Sequence, residues 1–308
     1  MIQRRSVDIA VVGSINADTT YSVPRLPGPG ETVLGTSRLD APGGKGANQA
    51  AAIASIGASV EFVAAVGDDD AGTSLIEGLN ARGVGVSSVV RLPGVATGSA
   101  VIFVSDSGEN SIVVHPGANG ELSRKRVEEF FSQTTPSVVV AQCEIPLGVV
   151  LAACEKASGT VIINPAPMPE PSPELDAVIA RADILVPNRT ELALLAGTPV
   201  PESQAEVESS AAKLNFDGQL VVTLGADGAL CFPDGPLSRP VAIAAPSVTA
   251  IDSSGAGDAF CGALAVAIQQ GKPLVAAAEF ATTLASWSVT QLGAQVPVTM
   301  PDTLLATG

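Results

Sequence analysis

The chain has 308 residues, of which 46% are hydrophobic and 3% are aromatic. This length allows one large α/β domain or two small ones, with a core built mainly from alanine, valine, leucine and isoleucine. The net charge of −15 argues against nucleic acid as a partner, because binding its phosphates requires clusters of basic residues.

The amino-terminal part of the chain alternates strands and helices. Residues 7–13 form a continuous apolar run that is typical of a strand buried in a parallel sheet. A glycine turn and an alanine-rich helix are predicted over residues 43–57. The next predicted elements are a strand at 60–66, a helix at 72–82, a hairpin at 99–114 and a helix at 122–131.

From residue 138 onward the alternation becomes regular. Strands are predicted at 138–142, 161–164, 184–186 and 220–224, and helices at 147–157, 191–196, 205–214, 255–270 and 274–290. This pattern predicts a three-layer αβα sandwich with a mainly parallel central sheet. Two irregular β segments, approximately 16–40 and 95–118, are expected to form a small β-sheet lid over a site. Without a linker or a break in composition, residues 1–308 are interpreted as a single domain.

The cysteines and the apolar runs bear on the cell compartment. Cys143, Cys154, Cys231 and Cys261 lack the paired spacing of metal ligands, and buried reduced thiols are typical of cytosolic proteins. No apolar run approaches the roughly 20 residues of a membrane-spanning helix. We therefore expect a cytoplasmic protein without a membrane partner.

The run Gly255-Ala256-Gly257-Asp258 is the most informative motif of the chain. A helix that begins here has free backbone N–H groups in its first turn, and small residues let a phosphate approach them closely. Asp258 would then stand beside the phosphate and accept a proton from an attacking hydroxyl, as phosphoryl transfer to an alcohol requires. The alternative is a tight turn with an aspartate that caps a buried helix.

Further polar side chains follow the predicted strands, where open parallel sheets bind ligands. Asn16 and Asp18 lie on the same side of an extended segment and could contact sugar hydroxyls, with an Asx turn as the alternative. The glycines at 43–44 allow close backbone approach to a ligand, and Asn48 falls on the first turn of the next helix. Glu144 suits either a polar ligand or solvent.

Two later segments also allow two interpretations each. Asn188 and Glu191 have the spacing of a capping box. The functional alternative places Glu191 near a metal ion and Asn188 near nucleotide phosphates. Between Thr223 and Gly228 the glycines are three residues apart, which fits a phosphate-binding loop or a hairpin turn.

Together these segments resemble the ribokinase-type members of the phosphofructokinase-B family of carbohydrate kinases. The resemblance extends through about residue 301. It rests on residues 13–18, 29–32, 43–50, 108–110, 115–119, 164–167, 188–191, 223–228, 255–258 and 293–295. The family resemblance implies an αβα sandwich with a β lid, which often pairs with a second lid to form a homodimer.

The resemblance also implies an activity, which is transfer of the γ-phosphoryl group of ATP to the 5-hydroxyl of D-ribose with Mg²⁺. Carried over by motif, Asp258 is the catalytic base, and Gly255, Ala256 and Gly257 form the anion hole. The sugar pocket would be lined by Asn16, Ala17, Asp18, Gly44, Lys45, Gly46, Ala47, Asn48, Glu144 and Asp258. ATP would be contacted by Asn188, Thr223, Leu224, Gly225, Ala226, Asp227, Gly228, Gly257, Asp258 and Thr282. A monovalent cation site, usually filled by K⁺ as activator, falls on Asp252, Ser254, Ser288, Gln291 and Gly293, with Glu191 near Mg²⁺.

Other functions would require sequence features of their own. A kinase of the same fold could act on 2-deoxyribose, another small neutral sugar or a nucleoside, but a nucleoside needs aromatic surface for its base. Only Tyr21 and Phe103 lie near the pocket motifs. An NAD-dependent oxidoreductase needs a G-x-G-x-x-G turn after the first strand, which residues 13–16 lack. A catalytically inactive sugar-sensing protein would not need the intact Asp258, and an assay separates it from a kinase.

Overall fold

The computed structural model describes residues 5–298 and 300–301. Its strands, in chain order, are β1 (Arg5–Val12), β2 (Asn16–Val23), β3 (Ser37–Gly43), β4 (Val60–Gly67), β5 (Val89–Leu92), β6 (Gly98–Ser105), β7 (Asn110–His115), β8 (Thr134–Gln142), β9 (Thr160–Asn164), β10 (Ile184–Leu185), β11 (Gln219–Thr223), β12 (Ala229–Phe232) and β13 (Val241–Ile243). Its α-helices are α1 (Lys45–Ser55), α2 (Asp70–Ala81), α3 (Arg124–Gln133), α4 (Leu147–Lys156), α5 (Pro173–Ile179), α6 (Arg189–Ala196), α7 (Gln204–Ala211), α8 (Ala256–Gln269) and α9 (Leu274–Ser288).

The large sheet has the strand order β13-β12-β11-β10-β9-β8-β1-β4-β5. Pairing is parallel from β5 to β11 and antiparallel at β12 and β13. The central strand β1 aligns Ile9 with Val60 on one side and with Val138 on the other. The mainly parallel sheet predicted from the strand–helix alternation is therefore confirmed.

Helices cover both faces of this sheet, and each face has its own core. Ile9 and Val11 of β1 belong to the core under α1, α2, α8 and α9, whereas Ala10 and Val12 belong to the core under α3 to α7. Successive side chains of a strand point to opposite faces, so a continuous apolar run supplies both cores. This arrangement is the predicted three-layer αβα sandwich.

A second, four-stranded sheet has the order β3-β2-β6-β7. β2 pairs antiparallel with β3 and parallel with β6, and β6 pairs antiparallel with β7. These strands come from the two segments predicted as the lid, although β3 runs to Gly43, beyond the expected end near residue 40. The interpretation of the chain as one domain stays a prediction.

Several element boundaries differ from the sequence-based expectation for local reasons. Helix α2 begins at Asp70 rather than at residue 72, because the Asp69 side chain accepts a hydrogen bond from Gly72 N and caps the helix. Helix α3 is shifted to Arg124–Gln133. Strands β5, β12 and β13 and helix α5 were not predicted. They are only three to seven residues long, and segments this short show little periodicity.

Two further features are the polarity of the helices and the state of the cysteines. Within residues 5–298 and 300–301, no helix is long and apolar enough to cross a membrane. All four cysteines are free and buried, as the scattered spacing predicted.

Candidate active site

The amino terminus of α8 opens toward solvent at the end of the large sheet. Gly255 is its N-cap in the left-handed conformation, with φ of 72°, and an added Cβ would lie 2.1 Å from the carbonyl oxygen of Ala294. Glycine is therefore required for this turn. Ala256 N donates to Ser253 O at 3.3 Å, and Gly257 is exposed. The first turn thus presents backbone donors of the kind that bind anions.

Asp258 lies on this first turn, where α8 packs against α1, and it is buried. Asn48 Nδ2 donates to Asp258 Oδ2 at 3.0 Å, and Gln49 Nε2 donates to Asp258 Oδ1 at 3.0 Å. The oxygen Asn48 Oδ1 is buried without a hydrogen-bond partner. Asp258 and Asn48 were both predicted as site residues, from two separate motifs, but we did not predict Gln49 as part of the site.

Charged groups surround the Asp258 carboxylate. Burial raises its pKa, and the nearby Lys45 ammonium and the two amide donors lower it, with a raised pKa as the net result. Burial lowers the pKa of Lys45, but the carboxylates of Asp258, Glu144 and Glu191 more than compensate and raise it. Lys45 therefore stays charged beside the carboxylate.

A pocket of about 130 Å³ lies in front of this turn. Its lining includes Lys45, Asn188, Glu191, Thr223, Gly255, Ala256, Gly257 and Asp258. The structure thus brings together predicted residues from four separate segments. Asn164, Ser253 and Cys261 also line the pocket and were not predicted as site residues.

Asn188 and Glu191 form the capping box that their spacing predicted, at the start of α6. Asn188 N and Nδ2 each donate to the Glu191 carboxylate at 2.9 Å, and Glu191 N donates to Asn188 Oδ1 at 2.8 Å. Burial raises the pKa of Glu191. The capping interpretation of this motif is confirmed. Both side chains also line the pocket, whereas their roles toward a metal ion and nucleotide phosphates stay predictions.

A second pocket, of about 460 Å³, adjoins the first and shares Thr223, Ser253, Ala256 and Gly257 with it. Gly225, Ala226, Gly228 and Thr282 also line it, together with apolar residues that include Pro246, Val248 and Val289. Thr282 Oγ1 donates to Ala278 O within α9 at 2.8 Å. The proton of the Thr282 hydroxyl is therefore already used in a hydrogen bond within the helix.

Leu224 and Asp227 lie apart from the other predicted nucleotide residues. They line a separate surface pocket with Arg189, which donates to Asp227 Oδ2 at 2.6 Å. Neither residue lines the second pocket.

The polar residues predicted for a sugar lie at the junction of the lid and the large sheet. Asn16 Oδ1 accepts a hydrogen bond from Asn119 Nδ2 at 2.7 Å, and Asp18 Oδ1 accepts one from Ala100 N at 3.2 Å. Glu144 Oε2 accepts from Lys45 N at 3.0 Å, at the start of α1. Asn119 is another residue that we did not predict; it follows the lid hairpin and orients Asn16.

The small residues predicted for the sugar pocket contact the protein itself. Gly44 has φ of 88°, and an added Cβ would lie 2.6 Å from Ile15 Cα, so the close approach that glycine allows here is to the chain's own backbone. Gly46 and Ala47 are buried in α1, and Ala17 packs against the core beneath it. These small residues serve packing. Lys45 and Asn48 are therefore the residues of this segment that bring polar side chains to the site.

The residues predicted for a monovalent cation come from two loops that lie side by side. Asp252 Oδ1 accepts from Ser254 N and Asp252 Oδ2 accepts from Gly293 N, both at 2.9 Å. Ser288 Oγ donates to Ala285 O, and Gln291 Nε2 donates to Thr290 Oγ1. Asp252 therefore joins the loop before α8 to the loop after α9.

The chain matches the model of the pfkB family carbohydrate kinases over residues 7–301. The chain belongs to this family. It is a sugar kinase, that is, a phosphotransferase with a carbohydrate acceptor. The kinase is 38% identical over 302 residues to the ribokinase of Haemophilus influenzae, covering 96% of this chain and 97% of that protein. It is 36% identical over 296 residues to the deoxyribokinase of Salmonella typhi, covering 94% of each.

The fold of this sugar kinase is also that of solved ribokinases. The Arabidopsis thaliana ribokinase complexed with ribose and ATP superposes with a TM-score of 0.86 at 31% identity, covering 98% of each chain. The predicted fold and the family resemblance are thus confirmed, whereas the roles of individual site residues stay predictions.

The carboxyl of Asp18 provides a test of the site's electrostatics. Burial and the negative charge of Glu144 raise the pKa of Asp18 to about 6. We expect Glu144→Gln to lower the pKa of Asp18, because loss of the like charge favours the ionised form. The pKa should stay above its ordinary value, since burial is the larger cause.

Carboxyl ¹³C NMR titration checks this, with Asp18→Asn to assign the resonance. An unchanged Asp18 titration in Glu144→Gln would show that burial alone raises the pKa.

Proposed function

We propose that this kinase transfers the γ-phosphoryl group of ATP to the 5-hydroxyl of D-ribose, giving ribose 5-phosphate and ADP. The observation that carries the proposal is the placement of the Asp258 carboxylate on the first turn of α8, where it lines one pocket with Gly255, Ala256 and Gly257. Similarity to ribokinases over nearly the whole chain supports ribose and ATP as the substrates.

In the proposed mechanism, Asp258 acts on the acceptor. Its carboxylate orients the 5-hydroxyl and accepts the proton as the new O–P bond forms. The backbone N–H groups of Gly255, Ala256 and Gly257 stabilise the charge on the transferring phosphoryl group, which a helix N-terminus does through its dipole and backbone donors. Ala256 N would exchange its 3.3 Å hydrogen bond to Ser253 O for a phosphoryl oxygen. Lys45 lies between the phosphate side and the sugar side of this site and adds a positive charge.

The sugar is proposed to bind between Asn16, Asp18, Asn48 and Glu144. Carboxylate oxygens accept hydrogen bonds from sugar hydroxyls, and amides donate and accept. The unpartnered, buried Asn48 Oδ1 supports this, because a ligand hydroxyl would supply the hydrogen bond that the protein does not.

The nucleotide is proposed to occupy the second pocket. One wall of this pocket is formed by Thr223, Gly225, Ala226 and Gly228, and its apolar wall suits a flat base. Because the Thr282 hydroxyl donates its proton within α9, we expect Thr282 to contact the base through its methyl group or through its oxygen as an acceptor.

Mg²⁺ and K⁺ are proposed cofactors. The described residues contain no group of three or more His, Cys, Asp or Glu side chains that could hold a metal ion. Mg²⁺ is commonly held by substrate phosphates with one or two carboxylates, and Glu191 lines the phosphate-side pocket. When bound with ATP, Mg²⁺ neutralises phosphate charge.

A monovalent cation fits the loops that Asp252 joins. The donor set proposed there is one carboxylate with the carbonyl oxygens of Ser254, Ser288, Gln291 and Gly293, which are hard ligands suited to K⁺. Asp252 stays ionised, since backbone N–H donors from Ser254 and Gly293 outweigh burial and lower its pKa.

A homodimer through the lid is also proposed. Leu39, Ile112 and Val113 of the lid are 63%, 52% and 63% exposed, and β7 is an edge strand. Exposed apolar edges of this kind pair readily with another chain. A cytoplasmic location is proposed as well, supported by the four free cysteines.

The second candidate acceptor is 2-deoxyribose, because a deoxyribokinase is almost as similar to this chain as the ribokinases are. We expect kcat/KM for D-ribose to exceed that for 2-deoxyribose by roughly tenfold or more, since a site that binds a hydroxyl rejects the analogue without it. A coupled ADP-release assay with D-ribose, 2-deoxyribose and adenosine measures this. A higher value for 2-deoxyribose or adenosine would replace the proposed substrate.

Replacement of the proposed base is the second test. Asp258→Asn should lower kcat by ~10²–10⁴-fold, while ribose binding by calorimetry stays measurable. Asp176→Asn, an exposed carboxylate on α5, serves as the control and should keep full activity. Near-normal turnover by Asp258→Asn would refute the proposed mechanism.

The proposed cation site predicts a dependence on salt. At equal ionic strength, kcat should be higher in KCl than in NaCl, because K⁺ would order the loop that leads into the anion hole. In Asp252→Asn this difference should shrink or vanish. Equal rates in both salts for the unmodified enzyme would contradict a functional K⁺ site.

A further inference from the structure

Two buried glutamines stand in line behind Asp258. Gln142, the last residue of β8, donates from Nε2 to Gln49 Oε1 at 2.6 Å, and Gln49 Nε2 donates to Asp258 Oδ1 at 3.0 Å. Both glutamines are 0% exposed. The hydrogen bonds thus connect the central sheet to α1 and then to the first turn of α8.

The order of donors fixes the orientation of the Gln49 amide. An amide can present either its oxygen or its nitrogen to a neighbour, but the Gln142 donor holds Gln49 Oε1 and leaves Nε2 to face Asp258. Asn164 Oδ1 lies 3.4 Å from the same Nε2 and accepts from it. Asn164 cannot reverse this arrangement, because its own Nδ2 donates to Val186 O.

The protein makes room for Gln142 despite an energetic cost. Its Oε1 is buried without a hydrogen-bond partner, which destabilises the folded state. An added Cβ on Gly13 would lie 2.0 Å from this oxygen, so Gly13 leaves the space that the side chain fills. A non-polar residue at 142 would avoid the unpaired oxygen but would leave Gln49 without its donor.

We propose that Gln49, held in one orientation by Gln142, is a positioning residue for Asp258: its amide donor fixes the rotation of the carboxylate toward the sugar hydroxyl. This inference rests on the proposed role of Asp258 as the base. Asn48 holds Oδ2 and Gln49 holds Oδ1, so the carboxylate is fixed at both oxygens. The remaining lone pairs are free for the acceptor hydroxyl.

The same donor helps to keep Asp258 ionised. Four titratable side chains face it: Lys45 on α1, Glu144 after β8, Glu191 on α6 and Cys261 on α8. Lys45 favours the charged form, whereas burial and the two carboxylates oppose it. Without the Gln49 donor, the carboxylate should be protonated at a higher pH.

The first test is Gln49→Met, which keeps the length of the side chain and removes the amide oxygen and the amide nitrogen. We expect kcat to fall by about 10- to 100-fold, with KM for ribose and ATP within about twofold of the original values, because the substrates do not contact Gln49. The acid limb of the kcat–pH profile should move to higher pH. Ser55→Ala, a buried change on the same helix that also removes a hydrogen bond, should leave kcat and the profile unchanged.

The second test is Gln142→Met, alone and combined with Gln49→Met. Alone it should lower kcat in the same direction but by less, since Gln49 is still present but no longer held. The double variant should be no worse than Gln49→Met, because both changes act through one donor. Additive losses would overturn the role assigned to Gln142. Thermal unfolding and ribose binding show whether Gln49→Met folds. If it does not, Gln142→Met decides: an unchanged kcat overturns the proposal, and a lower kcat with unchanged KM supports it.

Asp258→Asn separates this inference from the mechanism on which it rests. If that variant turns over ribose normally, the kinase activity stands, but Asp258 is not the base and the proposed mechanism fails. If it is inactive while Gln49→Met keeps the original kcat and pH profile, Asp258 is the base and the positioning role of Gln49 is wrong.

Discussion

The contact between α1 and α8 is the constraint on which the site depends. It buries the Asp258 carboxylate, and a buried charge is stable only when it is paired and hydrogen-bonded. Asn48 and Gln49 donate to its two oxygens, and Lys45 supplies the opposite charge. These three residues lie at the amino-terminal end of α1. This end of the helix therefore pairs with the buried carboxylate and also forms part of the wall of the pocket in front of it.

Parallel strand order explains why distant segments meet here. The carboxyl ends of parallel strands lie at one edge of a sheet, so loops that are far apart in sequence converge on α8. Glu144 follows β8, Asn188 follows β10 and Thr223 ends β11. Each contributes a polar group to the edge that the lid also reaches, and the proposed nucleotide and sugar sides of the site differ mainly in which strands supply them.

The sequence predicted the large features because they are periodic or carry a distinctive motif. The buried strand at Ile9, the helix after Gly255 and the acidic residue at 258 were all found in this way. It did not predict β5 or α5, which are too short to show a period. It also did not identify Gln49, because its role arises from Gln142, 93 residues away in sequence, and a buried glutamine has no pattern that separates it from an exposed one.

The connection between the lid and the core has a mechanical consequence. β3 ends at Gly43 and α1 begins at Lys45, so a single residue, Gly44, separates a lid strand from the helix that carries the Asp258 donors. At the same end of the lid sheet, where Asn16 pairs with Gly43, three residues separate the end of β1 from the start of β2. Such short junctions couple the lid strands to the start of α1. A displacement of the lid would therefore also displace the residues of α1 that donate to Asp258.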